Sequence, residues 1–260
     1  MQPSLKQLET WARQAGEILR DRYGKQHTIR HKGVIDLVTE ADHLVEAYLL
    51  EQIHNSFPDH RIYTEESGVH SGDDDSTWYI DPLDGTVNFA HGIPIFTVSI
   101  GFASQGKLQL GVVYDPMRDE LFSAQAGKGA WLNSTIQLQV TSPASMDESL
   151  LTTGFPYEIR EQHDQTFKIH EHFARHSQGV RRLGSAALDL CYVAAGRFDG
   201  YWELKVMPYD VAAGALIAME AGALVTTTQG DPLPLNPPIS ILAASRNIHS
   251  SLVRDIQSFS

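Results

Sequence analysis

The sequence predicts a mixed α+β / α/β protein, a single unit over residues 1–260 with an α+β half to about 142 and an α/β half from about 143. Three observations predict it. An amphipathic helical pattern opens the chain, apolar residues alternate in runs between residues 95 and 124, and from Pro143 strand and helix patterns follow one another in turn.

The first helix follows Ser4, a good N-cap, and places Leu5, Leu8, Ala12, Ala15 and Leu19 on one face. A second follows Thr39 through about Ile53, with Leu44, Tyr48 and Leu49 inward. Two β-rich runs come next, Arg61 to Thr64 and Thr77 to Ile80, each ending in carboxylates. Ile95 to Phe102, Leu108 to Tyr114 and Glu120 to Ala124 read as an antiparallel meander joined by turns at Gln105-Gly106 and Asp115-Pro116. Helices are then predicted near Glu161 to His176, Ser185 to Ala195 and Asp210 to Ala221, with strands between them. No internal repeat or low-complexity linker is visible.

With 42% hydrophobic residues the chain can bury a sizeable core, and it has no apolar run long enough to span a bilayer. It also lacks a secretory signal pattern at its N-terminus, so the expected location is cytoplasmic. A net charge of −12 disfavours anionic membranes and nonspecific nucleic-acid contact. The single Cys191 sits in an apolar helical stretch and reads as a small hydrophobe, so no disulfide framework is possible within one chain.

The chemistry concentrates in acids. In Trp78-Tyr79-Ile80-Asp81-Pro82-Leu83-Asp84-Gly85-Thr86 an apolar run ends in two carboxylates three residues apart. Pro82 fixes its own φ, so Asp81, the Leu83 carbonyl and Asp84 can surround one point, while Gly85 and Thr86 can open a helix with free N–H groups. Oxygen ligands for a hard cation would then stand beside an anion seat. Asp-Pro-x-Asp-Gly is equally good turn chemistry, and the motif alone leaves both readings open. A spacing of three argues against an Asp-x-Asp phosphatase nucleophile. Glu65-Glu66 ends a second strand, where alternation lets only one acid face a site. Asp210 precedes a small-residue helix, where an N-cap role is the simplest alternative.

Taken together, these residues resemble the inositol monophosphatase family. Asp81 to Phe89 match its Asp-Pro-Ile/Leu-Asp-Gly-Thr signature with the following Asn-Phe, and Glu65 to Ser67 match its Glu-Glu-Ser segment. Asp210 to Gly214 match Asp-Val-Ala-Ala-Gly, and Asp36 to Asp42 match Asp-Leu-Val-Thr-x-x-Asp. Tyr209 departs from the usual Trp but keeps an aromatic wall, and the segment at Lys32 departs slightly in spacing.

The resemblance implies a layered α/β/α/β/α sandwich of the inositol monophosphatase / fructose-1,6-bisphosphatase type. It implies a lithium-sensitive, Mg²⁺-dependent phosphomonoesterase with two or three ions per site, Mn²⁺ as a substitute, and a homodimeric state. In that scheme Glu65, Asp81 and the Leu83 carbonyl hold one ion, and Asp81, Asp84 and Asp210 a second. Glu65 shares a weaker third ion, Gly85 and Thr86 amides seat the phosphate, and Thr86, hydrogen-bonded to Asp42, orients or deprotonates the nucleophilic water. Asp84, Gly184, Ser185, Ala186, Glu203 and Asp210 would meet the alcohol portion. The implied substrate is myo-inositol 1-phosphate or a related polyol phosphate; fructose 1,6-bisphosphate, histidinol phosphate, adenosine 3′,5′-bisphosphate and NADP are the alternatives. All-oxygen ligands fit Mg²⁺ better than Zn²⁺, and four converging carboxylates repel by about 1 to 4 kcal/mol per close pair unless cations separate them.

Other features read as structural or solvated. Asp73-Asp74-Asp75 suggests an exposed acidic loop, and His91 follows the signature near the substrate side. His27 with His31, and His172 with His176, stand four apart without the Glu that a zinc-hydrolase helix needs. Glu66 is expected to support Glu65 rather than ligate. A regulatory binding protein is the alternative class, although no basic stripe interleaved with aromatics is visible.

Overall fold

A computed structural model of the chain describes residues 2–25, 30–31, 37–156, 159 and 164–259. The first half contains α1 (Leu5–Arg22), β1 (Arg30–His31), β2 (Leu37–Val38), α2 (Glu40–Ser56), β3 (His60–Thr64), β4 (Gly68–His70), β5 (Asp73–Asp84) and α3 (Thr86–Ala90). It continues with β6 (Thr97–Ser104), β7 (Lys107–Asp115), β8 (Glu120–Gln125), β9 (Ala130–Leu132) and β10 (Ile136–Gln137). The second half contains β11 (Leu150–Thr153), α4 (Asp164–Arg175), β12 (Gly179–Arg181), α5 (Ala186–Ala194), β13 (Gly200–Val206), α6 (Pro208–Glu220), β14 (Leu224–Thr226), β15 (Ile239–Ala244) and α7 (Arg246–Gln257).

Strands β3 to β10 form one eight-stranded sheet in the order β10-β9-β8-β7-β6-β5-β3-β4, antiparallel except where β3 runs parallel to β5. The expected meander is its β6-β7-β8 portion. A five-stranded mixed sheet, β12-β11-β13-β15-β14, pairs β11 in parallel with both β12 and β13. Helices α1 and α2 cover one face of the large sheet, and α5 and α6 fill the space between the two sheets. Helices α4 and α7 cover the far side of the small sheet, which completes the layered α/β/α/β/α order.

Local chemistry explains the main elements. Ser4 caps α1 in a capping box with Gln7, and Thr39 caps α2 in one with Asp42. The buried stripe of α2 is Ala41, Val45, Leu49 and Ile53; Leu44 and Tyr48, expected inward, are only half-buried. Leu49 is buried as expected; packing on β5 and α1 selects Val45 beside it in place of Leu44 and Tyr48. Helix α6 lies close to the large sheet because Gly101 and Gly111, paired across β6 and β7, leave a trough for Ala212 and Ala213. A Cβ at Gly111 would stand 2.7 Å from the Ala213 carbonyl oxygen. That trough is why the α6 sequence is small-residue-rich on this face.

Two boundaries at acidic residues differ from expectation. Strand β5 begins at Asp73, so Asp73 to Asp75 are exposed strand residues rather than loop, and Asp74 pairs with Arg61. Helix α6 begins at Pro208, which makes Asp210 its third residue rather than its N-cap, with Pro fixing the first turn. The helix predicted from Glu161 is seen from Asp164; residues 161–163 lie outside the described residues, as do Lys32, Asp36 and His27.

Candidate active site

Parallel pairing of Thr64 with Ile80 sets Glu65 beside the end of β5, and the Glu65 amide donates to the Ile80 carbonyl at 3.3 Å. The β5–β6 register slips between Asp81 and Asp84, where Asp81 faces Ser99 and Asp84 faces Thr97. Pro82 has no N–H to give the ladder, so the slip costs the sheet no backbone bond there. Within it the Leu83 amide donates to Asp81 Oδ1 at 3.0 Å and fixes that carboxylate. Gly85 then takes φ = 103°, a conformation glycine adopts without penalty, and turns the chain into α3. A Cβ there would also meet the Ile95 carbonyl oxygen at 2.9 Å.

Glu65, Asp81, Leu83, Asp84, Gly85, Thr86, Gly184, Ser185, Ala186, Glu203 and Asp210 all line one cavity between the two sheets. Asp42 stands behind it, fully buried, and accepts the Thr86 hydroxyl at Oδ1 (3.0 Å) while Oδ2 accepts the Thr39 amide (2.8 Å) and hydroxyl (2.6 Å). Burial raises the Asp42 carboxyl above the usual range, against those bonds. Asp210 Oδ2 accepts the Met207 amide at 2.8 Å, satisfying one free donor of the α6 first turn.

Asp84 is engaged more heavily than its motif suggested. Its Oδ2 accepts the Ser185 hydroxyl at 2.6 Å and the Ala187 amide at 2.8 Å, and Oδ1 lies 3.2 Å from the Ala186 amide. A carboxylate from the large sheet thus caps α5 of the middle layer, and the Ser185 and Ala186 donors expected to meet an alcohol are already directed at it.

The cavity is electrostatically strained. Burial first, then the charges of Glu65, Asp84 and Asp210, push Asp81 well above the ordinary carboxylate range. Burial and the charge of Glu65 push Asp210 the same way, while burial carries Asp84 to about 6 against its hydrogen bonds. Among the described residues, no three His, Cys, Asp or Glu side chains stand together as a ready-made metal shell. The donor chemistry fits a hard divalent ion nonetheless: all the acids are oxygen donors, they raise one another's proton affinity, and a cation would relieve that repulsion.

The opposite side of the cavity is built from β13 and its neighbours. Glu203 is buried and accepts the Tyr201 hydroxyl at 2.7 Å, and burial carries its carboxyl to about 7 despite that bond and nearby Arg182. Sequence reasoning missed Asp189, Arg182, Gly154 and Phe155, which also line the cavity. Asp189 accepts the Thr152 hydroxyl at 2.8 Å and is pushed well up by burial. It is the only acid of the apolar helix α5, a signal that was visible. The buried Glu46 was missed too; it accepts the Thr64 hydroxyl at 2.6 Å and the Glu66 amide at 3.0 Å, steadying the strand end that carries Glu65.

His91 is exposed at the end of α3 and does not line the cavity. His172 lies 3.2 Å from Asp255 and the His176 ring faces the His172 carbonyl, away from the site.

Residues 1–260 match the family model described as the Inositol monophosphatase family. An inositol-1-monophosphatase of Synechocystis is 47% identical over 240 residues, covering 92% of this chain and 83% of that protein. A Nus factor SuhB of Pasteurella multocida is 42% identical over 255 residues, covering 97% and 95%. The solved inositol monophosphatase of Anabaena superposes with a TM-score of 0.87 at 42% identity, covering 98% of this chain and 95% of that one. With motifs, layers and whole-length similarity in agreement, the chain belongs to the inositol monophosphatase family, a family of phosphatases.

Proposed function

We propose that the chain works as one catalytic unit, a Mg²⁺-dependent phosphomonoesterase that hydrolyses myo-inositol 1-phosphate and related polyol phosphates. One observation carries the reading: the Glu65, Asp81, Asp84 and Asp210 carboxylates share a cavity with Thr86, itself bonded to Asp42, and with the buried Glu203. Glu65, Asp81, the Leu83 carbonyl, Asp84 and Asp210 would hold two or three Mg²⁺, or Mn²⁺, which when bound neutralise phosphate charge and activate water.

The chain's own groups then divide the work. Gly85 and Thr86 offer amides to phosphate oxygens at the start of α3. Thr86 Oγ1 lies 3.0 Å from both Asp42 Oδ1 and the Leu83 carbonyl oxygen. With its proton given to Asp42, the hydroxyl oxygen accepts from an attacking water and orients it, and as that water loses a proton to Thr86 Oγ1 the hydroxyl proton passes to Asp42 Oδ1. On the far side, the turn at Gly184, Ser185 and Ala186 walls the alcohol, while its Ser185 and Ala186 donors stay with Asp84. Glu203 accepts hydroxyl protons there, which favours a polyol over a flat base. A homodimer and lithium sensitivity accompany this reading through the family resemblance, and a cytoplasmic setting suits a chain with a single cysteine. Among the described residues, no helix is long and apolar enough to cross a membrane.

A regulatory binding role is the second reading, favoured by the name Nus factor that the Pasteurella relative bears. The test is phosphate release with and without Mg²⁺ from inositol 1-phosphate, fructose 1,6-bisphosphate, histidinol phosphate, adenosine 3′,5′-bisphosphate and NADP, with Asp81→Asn as control. Preference for inositol 1-phosphate supports the proposal, preference for another compound replaces the substrate, and no metal-dependent release favours the binding role.

A further inference from the structure

We propose that Gly154 is a specificity-determining position, whose missing side chain makes the space in which Glu203 presents its carboxylate to the substrate alcohol. The inference rests on the reading of Glu203 given above. Gly154 follows the last residue of β11, and the parallel pairing of Thr153 with Trp202 brings it alongside Glu203 on β13. Both residues line the cavity. A Cβ built on Gly154 would overlap Glu203 Oε2 and Cδ deeply and would come within 2.8 Å of Oε1. The carboxylate therefore occupies the place that the Cβ of any other residue at 154 would take.

Two further contacts define how the pair works. Thr153 Oγ1 donates to the Trp202 carbonyl at 2.7 Å, pinning the two strand ends side by side so that Gly154 cannot easily withdraw. The wholly buried Tyr201 donates to Glu203 Oε2 at 2.7 Å, holding the carboxylate from the other side. Gly154 has no left-handed φ, so alanine meets no backbone penalty there, and the overlap with Glu203 is the obstacle. Gly154 acts through Glu203, as a positioning residue.

The experiment is a double-mutant cycle on the full chain, using inositol 1-phosphate and, as a monoester without alcohol hydroxyls, p-nitrophenyl phosphate. Gly154→Ala should raise KM for inositol 1-phosphate about tenfold relative to KM for p-nitrophenyl phosphate. In a Glu203→Ala background the same substitution should change that ratio less than twofold. An unchanged ratio in the single variant, or the full tenfold effect persisting without Glu203, overturns the proposal. Thermal melts keep the test decisive where activity does not: Gly154→Ala should melt lower than wild type, and Gly154→Ala with Glu203→Ala should melt with Glu203→Ala alone. A double variant as destabilised as the Gly154→Ala single overturns the coupling. If wild type hydrolyses neither compound, the phosphatase reading fails separately, and the melts still decide whether the two residues compete for one space.

Discussion

The Thr86 hydroxyl and Asp42 Oδ1, brought together from α3 and α2, lie 3.0 Å apart behind the cavity, and the other Asp42 oxygen is fixed by both polar groups of Thr39. A helix capping box is therefore also the mount of the proposed proton acceptor. Replacing Asp42 would disturb the start of α2 as well as the site, so Thr86 is the cleaner place to intervene. Thr86→Val, similar in shape but without the hydroxyl, should lower kcat by about 10²- to 10⁴-fold, the range for loss of a positioned proton-transfer group. Thr86→Ser should keep most of the rate. Steady-state kinetics with a thermal melt of each variant checks this, and a Val variant with near-normal kcat would remove Thr86 from the mechanism.

Asp81 is pushed upward by burial and by three neighbouring acids. Without a cation its charge opposes folding, so metal-free protein at pH 8 should be stabilised by Asp81→Asn, which keeps an oxygen for the Leu83 amide. In wild type, Mg²⁺ at a hundred times its Kd should stabilise by about 2.7 kcal/mol. The variant should lose most of that increment. Melting curves with EDTA and with Mg²⁺ read both effects, and an equal Mg²⁺ increment in the two proteins would take Asp81 out of the ligand set.

Helix α6 supplies Asp210, and its position depends on the glycine trough. Gly111→Ala would drive a Cβ against the backbone of Ala213 rather than against a movable side chain. Overpacking of this kind costs about 1 to 3 kcal/mol. Urea unfolding should show a loss in that range, with reduced phosphatase activity as α6 shifts Asp210. A variant of wild-type stability would mean that the sheet yields more readily than close packing allows.

How much of this was legible in the sequence depends on the range of the interaction. Ser4 and Thr39 announce their helices because a cap acts within four residues, and Asp81, Asp84 and Glu65 announce themselves because each interrupts an apolar strand. The bond of Asp84 to Ser185 spans 101 residues and leaves no periodic trace. For the same reason Leu49 is buried as expected while Leu44 yields the buried place to Val45, since the two are similarly apolar and only the neighbouring layer chooses between them. Asp210 was displaced from cap to third residue because Pro208 starts α6 earlier than the acid suggested. The pairing of Gly154 with Glu203 comes from the β11–β13 register, which no local pattern encodes.

Glu203 gives a pH signature that separates its charge from its shape. Burial raises its carboxyl from 4.5 to about 7, so the folded protein holds this proton more tightly than the unfolded chain. Its contribution to stability is fully present below the unfolded value of 4.5 and is lost as pH rises through about 7. Glu203→Gln keeps an acceptor for the Tyr201 hydroxyl and removes the charge. The stability of Glu203→Gln relative to wild type, both metal-free, should therefore grow by about 2 to 3 kcal/mol between pH 5 and pH 8.5. Urea unfolding across that interval measures it. A difference that stays constant with pH would mean that Glu203 does not titrate between those limits, whereas a growing difference would show that the site keeps a costly buried carboxylate in place for what it binds.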